Sequence, residues 1–248
     1  MKKKESIFYL KEMINVYKLG TLGNNMWQYA VARVIAEKYN LKLNCYSIPG
    51  FPNTEQVVDG NVYNNPVVRI EWHSFDINSL ANSRVEMAGY VQRYEYIREH
   101  KEKVKEWFKL NVDPPIKVLP TDFVVSIRRG WNGYPTDLCP SKEYFQKVFS
   151  RVEYDRIILC TDSFDDPFFD FINDIDVEVV KAKFSPLEQF ALIKLANKIL
   201  LTASTYCWWA SFLSNAKEIY YPWIEKMIPT EKDVNWFVDD EDRYIIVK

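Results

Sequence analysis

Short apolar runs alternate along the chain with longer segments whose apolar residues recur every three or four positions. In residues 25–39 that period predicts a helix with a broad buried face. The runs at 13–17 and 41–46, on either side of it, predict strands. A strand, a turn rich in Gly and Asn, a helix and a strand together form a βαβ unit. Two more strands and a charged helix are predicted further along the first half, at 67–72, 85–90 and 94–110.

The alternation resumes after residue 122 and predicts a second α/β unit. We expect strands at 123–127, 156–160, 177–180 and 199–201, a last strand at 218–221, and helices at 141–151, 185–197 and 206–213. The helix from 185 has the clearest start, because Ser185 is a suitable cap, Pro186 takes the first position and Glu188 the third. Strands alternating with helices indicate a parallel sheet joined by right-handed crossovers.

Three prolines between residues 111 and 122 mark the best domain boundary in the sequence. Pro114, Pro115 and Pro120 interrupt both helix and sheet. We therefore predict an N-terminal α/β domain at 1–113 and a C-terminal α/β domain at 114–248. A cleft between two such halves is where a ligand usually binds.

Composition and charge narrow the class of protein. The chain has 248 residues, 48% of them hydrophobic, and a net charge of −2. A charge so close to zero argues against broad binding to nucleic acid or anionic lipid. Four cysteines far apart in the sequence indicate a reduced protein, which we expect to be cytoplasmic. The longest apolar stretch, 190–201, is interrupted by two lysines and an asparagine, so we expect no membrane span.

The sequence offers few metal ligands but many aromatic rings. Only two histidines occur, which excludes a three-histidine centre, and Asp165 and Asp166 before Pro167 are more typical of a helix start than of a metal site. We therefore expect no metal. Aromatic residues make up 16% of the chain, and some of them could form a platform for a sugar or a base.

Polar side chains follow several strands of the second half. Ligands of open α/β sheets lie beyond the carboxyl ends of the strands. Arg128 and Arg129 stand at one such end, where two guanidiniums would match the oxygens of a phosphate or diphosphate. Asp162 follows the next strand and could accept from a base or ribose, and the hydroxyls of Ser204 and Thr205 precede a helix that could bind phosphate. Together they suggest a nucleotide-sugar site.

Simpler explanations stay open for each of these residues. The two arginines could form surface ion pairs, and strand ends are commonly polar. Gly20 and Gly23 after the first strand lack the spacing of a dinucleotide fingerprint, so binding of NAD is not expected.

In the order and spacing of its motifs the chain resembles the family 11 glycosyltransferases, the α-1,2-fucosyltransferases. Residues 20–30, GTLGNNMWQYA, are similar to the family's GxLGNQMFQYA, and residues 89–92 to its GYFQ. Residues 126–131, SIRRGW, correspond to HxRRGD. Four later segments correspond in order to the family's CP pair, its YY or YF pair, its SDD strand end and its NSSFSWW motif: 139–140, 144–145, 161–163 and 203–209.

The resemblance implies a GT-B-like fold of two Rossmann-like α/β halves, with an acceptor-side domain at 1–113 and a nucleotide-sugar-binding domain at 114–248. It implies inverting, metal-independent transfer of L-fucose from GDP-fucose, the donor substrate, to a sugar hydroxyl of a glycan. No other cofactor is implied. Arg128 would be the main diphosphate ligand, with Arg129 beside it. The remaining donor-site and cleft residues implied are Asn24, Gln28, Ser126, Asp162, Ser204 and Thr205.

The sequence departs from the family motif on both sides of the arginines. Ser126 stands where the motif has histidine, and Trp131 where it has aspartate. A tryptophan cannot act as a base, so the group that deprotonates the acceptor has to lie elsewhere. Asp137 is the first candidate and Glu95 the second. These departures leave two alternatives, the same fold with a different nucleotide sugar and a non-catalytic glycan-binding protein.

Overall fold

The computed structural model describes residues 13–54, 67–81, 84–129, 139–224 and 234–248. The strands in these ranges form two sheets, one of four strands and one of six, and every strand pair is parallel. This confirms the prediction of two α/β halves. No helix in these ranges combines the length and the apolar character that crossing a membrane requires.

The first sheet has the strand order β2-β1-β4-β3. Its strands are β1 Met13–Val16, β2 Lys42–Asn44, β3 Val67–Ile70 and β4 Arg84–Met87. Helix α1, Leu22–Tyr39, joins β1 to β2 and begins three residues earlier than predicted. It starts there because the Thr21 carbonyl already accepts a hydrogen bond from Asn25 N at 3.0 Å, which makes the glycine and asparagine segment the first helical turn.

The second sheet has the order β10-β9-β8-β5-β6-β7, which is the strand order of a Rossmann fold. The chain runs outward from β5 in one direction and from its neighbour β8 in the other, so the topological switch point lies between β5 and β8. The six strands are β5 Asp122–Ile127, β6 Arg156–Thr161, β7 Glu178–Lys181, β8 Lys198–Leu201, β9 Glu218–Pro222 and β10 Tyr244–Val247.

The helices of the second half are α3 Lys142–Phe149, α4 Asp170–Asn173, α5 Pro186–Leu195 and α6 Thr205–Phe212. Three of them, α3, α5 and α6, follow the prediction, whereas the short helix α4 was not predicted. The cap of α5 forms as expected: Ser185 Oγ accepts from Glu188 N at 3.4 Å, and the Glu188 carboxylate accepts from Ser185 N at 2.8 Å.

Two predictions of secondary structure were wrong. The helix expected at 94–110 is reduced to α2, Lys101–Trp107, preceded by two short 3₁₀ turns. The backbone before α2 is held by other partners, since Tyr94 N donates to Asn235 O at 2.7 Å. The strand at 218–221 is also not the last one, because β10 adds a parallel edge strand beside it.

The two sheets share one hydrophobic core through α1 and α6. The ring of Trp27 on α1 lies 4.4 Å from that of Trp208 and 5.0 Å from that of Trp209 on α6, and all three side chains are fully buried. The approach is so close that a Cβ added at Gly23 would lie 2.5 Å from the carbonyl carbon of Thr205. The boundary between residues 113 and 114 stays a prediction.

Candidate active site

A cavity of about 600 Å³ opens at the carboxyl edge of the second sheet, beside the switch point. Its volume is within the range of small-molecule sites, and its position is where ligands of such sheets bind. The ends of β5 and β6 and the first turns of α5 and α6 form its walls. The lining residues are Ser126, Ile127, Arg128, Cys160, Thr161, Asp162, Ser163, Phe164, Asp165, Lys183, Phe184, Pro186, Gln189 and Tyr206.

Arg128 is the cation that β5 delivers to this cavity. Its backbone N–H donates to Thr202 Oγ1 at 3.1 Å, its Nε lies 3.1 Å from Asp162 Oδ2, and its guanidinium lies 5.8 Å from the centre of the Tyr206 ring. The other two guanidinium nitrogens, Nη1 and Nη2, carry N–H donors of the kind that bind an anion. The side chain is therefore oriented before a ligand arrives.

Arg129, in contrast, does not line the cavity. Its Nε lies 3.0 Å from Asp166 Oδ2, its Nη1 donates to Cys139 Sγ at 3.4 Å, and its guanidinium covers the Phe168 ring at 4.2 Å. Arg129 therefore forms an ion pair, which was the simpler explanation left open for both arginines. A role of Arg129 beside Arg128 at the diphosphate stays a prediction.

Asp162 holds the ends of β5 and β6 together. Its Oδ2 pairs with Arg128, and its Oδ1 accepts from the backbone N–H of Arg129 at 2.9 Å. Asp166 forms the corresponding ion pair with Arg129, whose Nε lies 3.0 Å from its Oδ2. The backbone N–H of Phe168, and after it the Arg129 guanidinium, hold the pKa of Asp166 below its ordinary value, so this carboxylate is charged at neutral pH.

The hydroxyl groups predicted near the donor are engaged in the framework. Ser126 lines the cavity, but it is buried and its Oγ lies 3.1 Å from Cys207 Sγ. Ser204 caps α6, its Oγ accepting from Cys207 N at 3.3 Å. Thr205 Oγ1 donates across the molecule to Asn24 Oδ1 at 3.1 Å. These contacts explain how the first turn of α6 is fixed beside the cavity.

Asn24 and Gln28 occupy different environments. Asn24 Oδ1 accepts from Gln92 Nε2 at 2.8 Å as well as from Thr205, so Asn24 lies where the two halves meet. Gln28 is completely buried inside the first half, and the structure does not bring it to the cavity.

The amide of Gln28 has its hydrogen bonds satisfied by the protein. Its Nε2 donates to the carbonyls of Tyr17 at 2.9 Å and Gly89 at 3.1 Å, and its Oε1 accepts from Tyr46 OH at 2.6 Å. Gln28 thus joins the ends of three strands of the first sheet and supports the backbone there.

Of the two candidate bases, only Glu95 belongs to the described residues, and it does not line the cavity. Asp137 lies outside the described residues, as does Trp131. Glu95 belongs to the framework of the first half, where it pairs with Arg93 and accepts from Asn235 Nδ2 at 2.7 Å. Within the described ranges no group of three or more His, Cys, Asp or Glu side chains is arranged to hold a metal ion.

Sequence reasoning missed several residues of the cavity wall. Gln189 on α5 donates from Nε2 to the carbonyls of Phe184 at 3.0 Å and Thr161 at 3.3 Å, and the Phe164 and Phe184 rings line the cavity. Only the packing of α5 against the sheet brings these residues together, so no local pattern identifies them. Tyr206, in contrast, lies inside the motif-like segment 203–209 and could have been proposed.

The second half is a Rossmann sheet with an arginine at its switch point, and the first half is another parallel sheet. Two such halves form the GT-B-like architecture of a glycosyltransferase. The Glycosyl transferase family 11 profile matches residues 97–232, and the chain belongs to that family. It is therefore a glycosyltransferase enzyme.

Individual relatives agree with this assignment. Galactoside alpha-(1,2)-fucosyltransferase 2 of Hylobates lar is 22% identical over 254 residues, spanning 85% of this chain and 72% of that protein. Among solved structures, the bacterial iron-containing dodecameric glycosyltransferase TibC of enterotoxigenic E. coli shares the fold with a TM-score of 0.50 at 10% identity. That match spans 95% of this chain but 62% of TibC. The fucosyltransferase NodZ from Bradyrhizobium is 15% identical over 84% of this chain and 93% of NodZ, with a TM-score of 0.45.

Proposed function

We propose that this protein transfers L-fucose from GDP-fucose to a hydroxyl group of a galactoside-containing glycan, with inversion at the sugar carbon and without a metal. The observation that carries the proposal is the placement of Arg128. It projects from the switch point into a cavity of suitable size, oriented by Asp162, Thr202 and Tyr206. The galactoside is suggested by the relative from Hylobates lar, whose name includes that acceptor.

In this reaction the bond between the fucose carbon and the diphosphate breaks, and negative charge develops on the departing GDP. Arg128 supplies a fixed positive charge where that change occurs, in place of a metal ion. Its orientation is set by the Asp162 ion pair and the backbone bond to Thr202, so no reorganisation is needed in the transition state. The acceptor hydroxyl attacks from the opposite face and gives its proton to a base, for which Asp137 stays the first candidate.

The far end of the cavity suits a nucleoside. Phe164 and Phe184 offer ring faces on which a base can stack, and the Asp165 carboxylate can accept from the N–H groups of guanine. Lys183 lies 4.0 Å from Asp165 and 5.8 Å from the Phe164 ring, and its ammonium can reach ribose or phosphate oxygens. These contacts support a guanosine diphosphate donor.

One observation favours a different nucleotide sugar with the same fold. The family motif has histidine at position 126, whereas this chain has a small serine whose hydroxyl is engaged with Cys207. A contact that histidine could make to the donor is therefore lost, and a different donor could occupy the space. The same experiment distinguishes the two candidates.

The test is a panel of donors bound to the purified protein. GDP-fucose, GDP-mannose, UDP-galactose, UDP-glucose, GDP and UDP are compared by thermal shift and calorimetry, and GDP release is then followed with lactose and other galactosides. A ligand at ~100 times its Kd adds roughly 2.7 kcal/mol to the free energy of unfolding. We expect GDP-fucose and GDP to stabilise the protein, and Arg128→Ala to abolish that stabilisation.

Arg84→Ala is the matched control, because Arg84 also forms an ion pair, 2.9 Å from Glu86, but at the amino edge of the first sheet. It should bind GDP normally. A larger shift with a UDP-sugar than with GDP-fucose would favour the alternative donor, and no shift with any nucleotide would refute both. A cytoplasmic location and the lack of nucleic-acid partners stay predictions.

A further inference from the structure

We infer that four aromatic side chains at the carboxyl edge of the first sheet form a stacking surface for the acceptor saccharide. We call Tyr46, Tyr17, Tyr90 and Trp72 the aromatic row. The inference rests on the proposed function in one respect, since it takes the acceptor to be a sugar. It adds a binding surface and the residues that form it.

Each ring of the aromatic row follows a different strand of the same sheet. Tyr17 comes directly after β1, Tyr46 and Trp72 come two residues after β2 and β3, and Tyr90 comes three residues after β4. The strands are parallel and neighbouring, in the order β2-β1-β4-β3. The carboxyl ends of parallel strands meet at one edge, which is the ligand-binding edge of an α/β sheet.

Three of the four rings of the row are exposed to solvent, whereas Tyr46 packs partly against the hydrophobic core and has Lys18 Nζ 5.5 Å from its ring centre. Trp72 is 74% exposed, Tyr17 48% and Tyr90 38%, whereas Trp27, Trp208 and Trp209 are fully buried. Exposed aromatic rings grouped at a ligand-binding edge are typical of a binding surface. Tyr46 is less exposed, and its hydroxyl is tied to Gln28 Oε1 at 2.6 Å.

The backbone beneath the row is rigid, which suits a preformed surface. Gly89 packs so closely on β3 that an added Cβ would lie 2.7 Å from the carbonyl carbon of Glu71 and 2.8 Å from the carbonyl oxygen of Trp72. The His73 ring lies nearly parallel to that of Tyr90, at 19° and with centroids 6.2 Å apart. Its Nδ1 accepts from the backbone N–H of Gln92 at 3.3 Å. His73 therefore helps to position the Tyr90 ring.

A chain of hydrogen bonds connects the row to the donor half. Gln92, two residues after Tyr90, donates from Nε2 to Asn24 Oδ1, and Asn24 also accepts from Thr205. The next residue, Tyr206, lines the donor cavity. The segment that carries Tyr90 is thus linked through Gln92 and Asn24 to the residue that precedes Tyr206 in the cavity wall.

The chemistry of the row fits a pyranose glycan. A sugar ring presents a flat apolar face of C–H bonds that stacks on an aromatic ring, while its hydroxyl groups at the edge remain solvated. Neighbouring strands are about 4.8 Å apart, so a row across four strands extends over roughly 14 Å. That length accommodates two or three sugar units, and we therefore expect an oligosaccharide to bind more tightly than a monosaccharide.

Binding can be tested directly by ¹⁹F NMR on protein labelled with 5-fluorotryptophan. Trp72→Phe assigns the Trp72 resonance, and the buried tryptophans are internal controls. The probes are methyl β-galactoside, lactose, N-acetyllactosamine and cellotriose, each added with and without GDP. We expect at least one oligosaccharide to shift the Trp72 signal and leave the buried signals unchanged. If none of the probes shifts it, the inference is wrong.

Kinetic variants provide the second test. Trp72→Ala and Tyr90→Ala should each raise the acceptor KM at least about tenfold, because a stacking ring is lost, while GDP affinity stays unchanged. Tyr90→Phe keeps the ring and should behave nearly as wild type. Val67→Ala is the matched control, since Val67 is an exposed apolar residue of β3 at the opposite edge of the sheet.

Different results would contradict fucosyl transfer and saccharide binding by the aromatic row. If the ring variants transfer fucose like Val67→Ala, the aromatic row is not the acceptor site although the proposed function holds. If GDP-fucose does not bind but oligosaccharides still shift the Trp72 signal, the donor proposal is wrong and the row remains a saccharide-binding surface.

Discussion

Thr205 Oγ1 donates a hydrogen bond to Asn24 Oδ1 at 3.1 Å, and this bond joins the first turn of α6 to the first turn of α1. The segments 20–30 and 203–209, which are far apart in sequence, therefore meet in the fold. Gly23 leaves no room for a side chain at this contact, since an added Cβ would lie 2.6 Å from Thr205 Oγ1. The contact fixes the second half of the chain relative to the first.

Thr205→Val should weaken this junction without changing its volume. Losing one hydrogen bond costs roughly 1 kcal/mol, so we expect the melting temperature to fall by about 2–4 °C. Because Asn24 also holds Gln92, kcat/KM should fall more than stability alone explains, by about fivefold or more. Thermal unfolding and steady-state kinetics measure the two effects.

Ser79→Ala is the control for this prediction. It removes the hydrogen bond from Ser79 Oγ to Asp76 O, 2.7 Å long and exposed, far from α1 and α6 in the sequence. Its kcat/KM should match wild type. Equal catalytic effects of the two variants would contradict a coupling role for Thr205.

Arg128 and Arg129 should differ sharply on substitution, although they are adjacent. Arg128 faces the cavity, whereas Arg129 is engaged with Asp166 and Phe168. Removing a group that stabilises transition-state charge costs about 10²–10³ in rate, which we expect for Arg128→Ala. Arg129→Ala should lower kcat/KM by less than about tenfold and act mainly on stability.

Arg128→Lys provides a sharper version of this comparison. Lysine keeps the charge but loses the planar fork that can bind the diphosphate and Asp162 together. It should recover only part of the lost activity. Steady-state kinetics of the wild type and the three arginine variants measure these differences. If Arg129→Ala loses as much activity as Arg128→Ala, Arg129 takes a direct part in catalysis.

The period of apolar residues was enough to predict the two parallel sheets, because each βα repeat carries its own local signal. Helix capping at Ser185 was predictable for the same reason. The different surroundings of Arg128 and Arg129 were not predictable, because Arg129 contacts Asp166 and Phe168, which follow the next strand. Contacts that arise only from packing were not accessible. Three features depend on distant parts of the chain: the burial of Gln28 against three strand ends, the loss of the first turns of the helix at 94–110, and the edge strand β10.

Trp27 leads to a prediction about the core between the two halves. Its Nε1 is buried and has no hydrogen-bond partner in the described part of the chain, and such an unpaired N–H costs roughly 1–3 kcal/mol. Trp27→Phe keeps most of the contact with Trp208 and removes this penalty. We expect its free energy of unfolding to change by less than about 1.5 kcal/mol, whereas Trp27→Ala should lose about 3–5 kcal/mol.

Urea unfolding of the two Trp27 variants measures the difference. The alanine variant also separates α1 from α6, so its catalytic efficiency should fall together with its stability. If phenylalanine is as damaging as alanine, the indole N–H has a partner and the packing argument fails.

Asp166 should make stability depend on pH in the acid range. The backbone N–H of Phe168 and the Arg129 guanidinium lower its pKa in the folded state. A carboxyl group with a lowered folded pKa stabilises the protein above its unfolded pKa of about 3.9, and the contribution disappears as the pH falls through the folded value. Asp166→Asn can keep the cap on Phe168 N but loses the charge that pairs with Arg129.

Asp166→Asn should therefore be less stable than wild type by about 0.5–1 kcal/mol at pH 7, a size typical of a partly exposed ion pair. The difference should shrink as the pH is lowered from 5 towards 3 and below, because wild-type Asp166 takes up a proton as the pH falls through its lowered pKa. Urea unfolding at pH 7, 5, 4 and 3 provides the measurement. A difference that stays constant across this range would show that the charge on Asp166 does not contribute to stability.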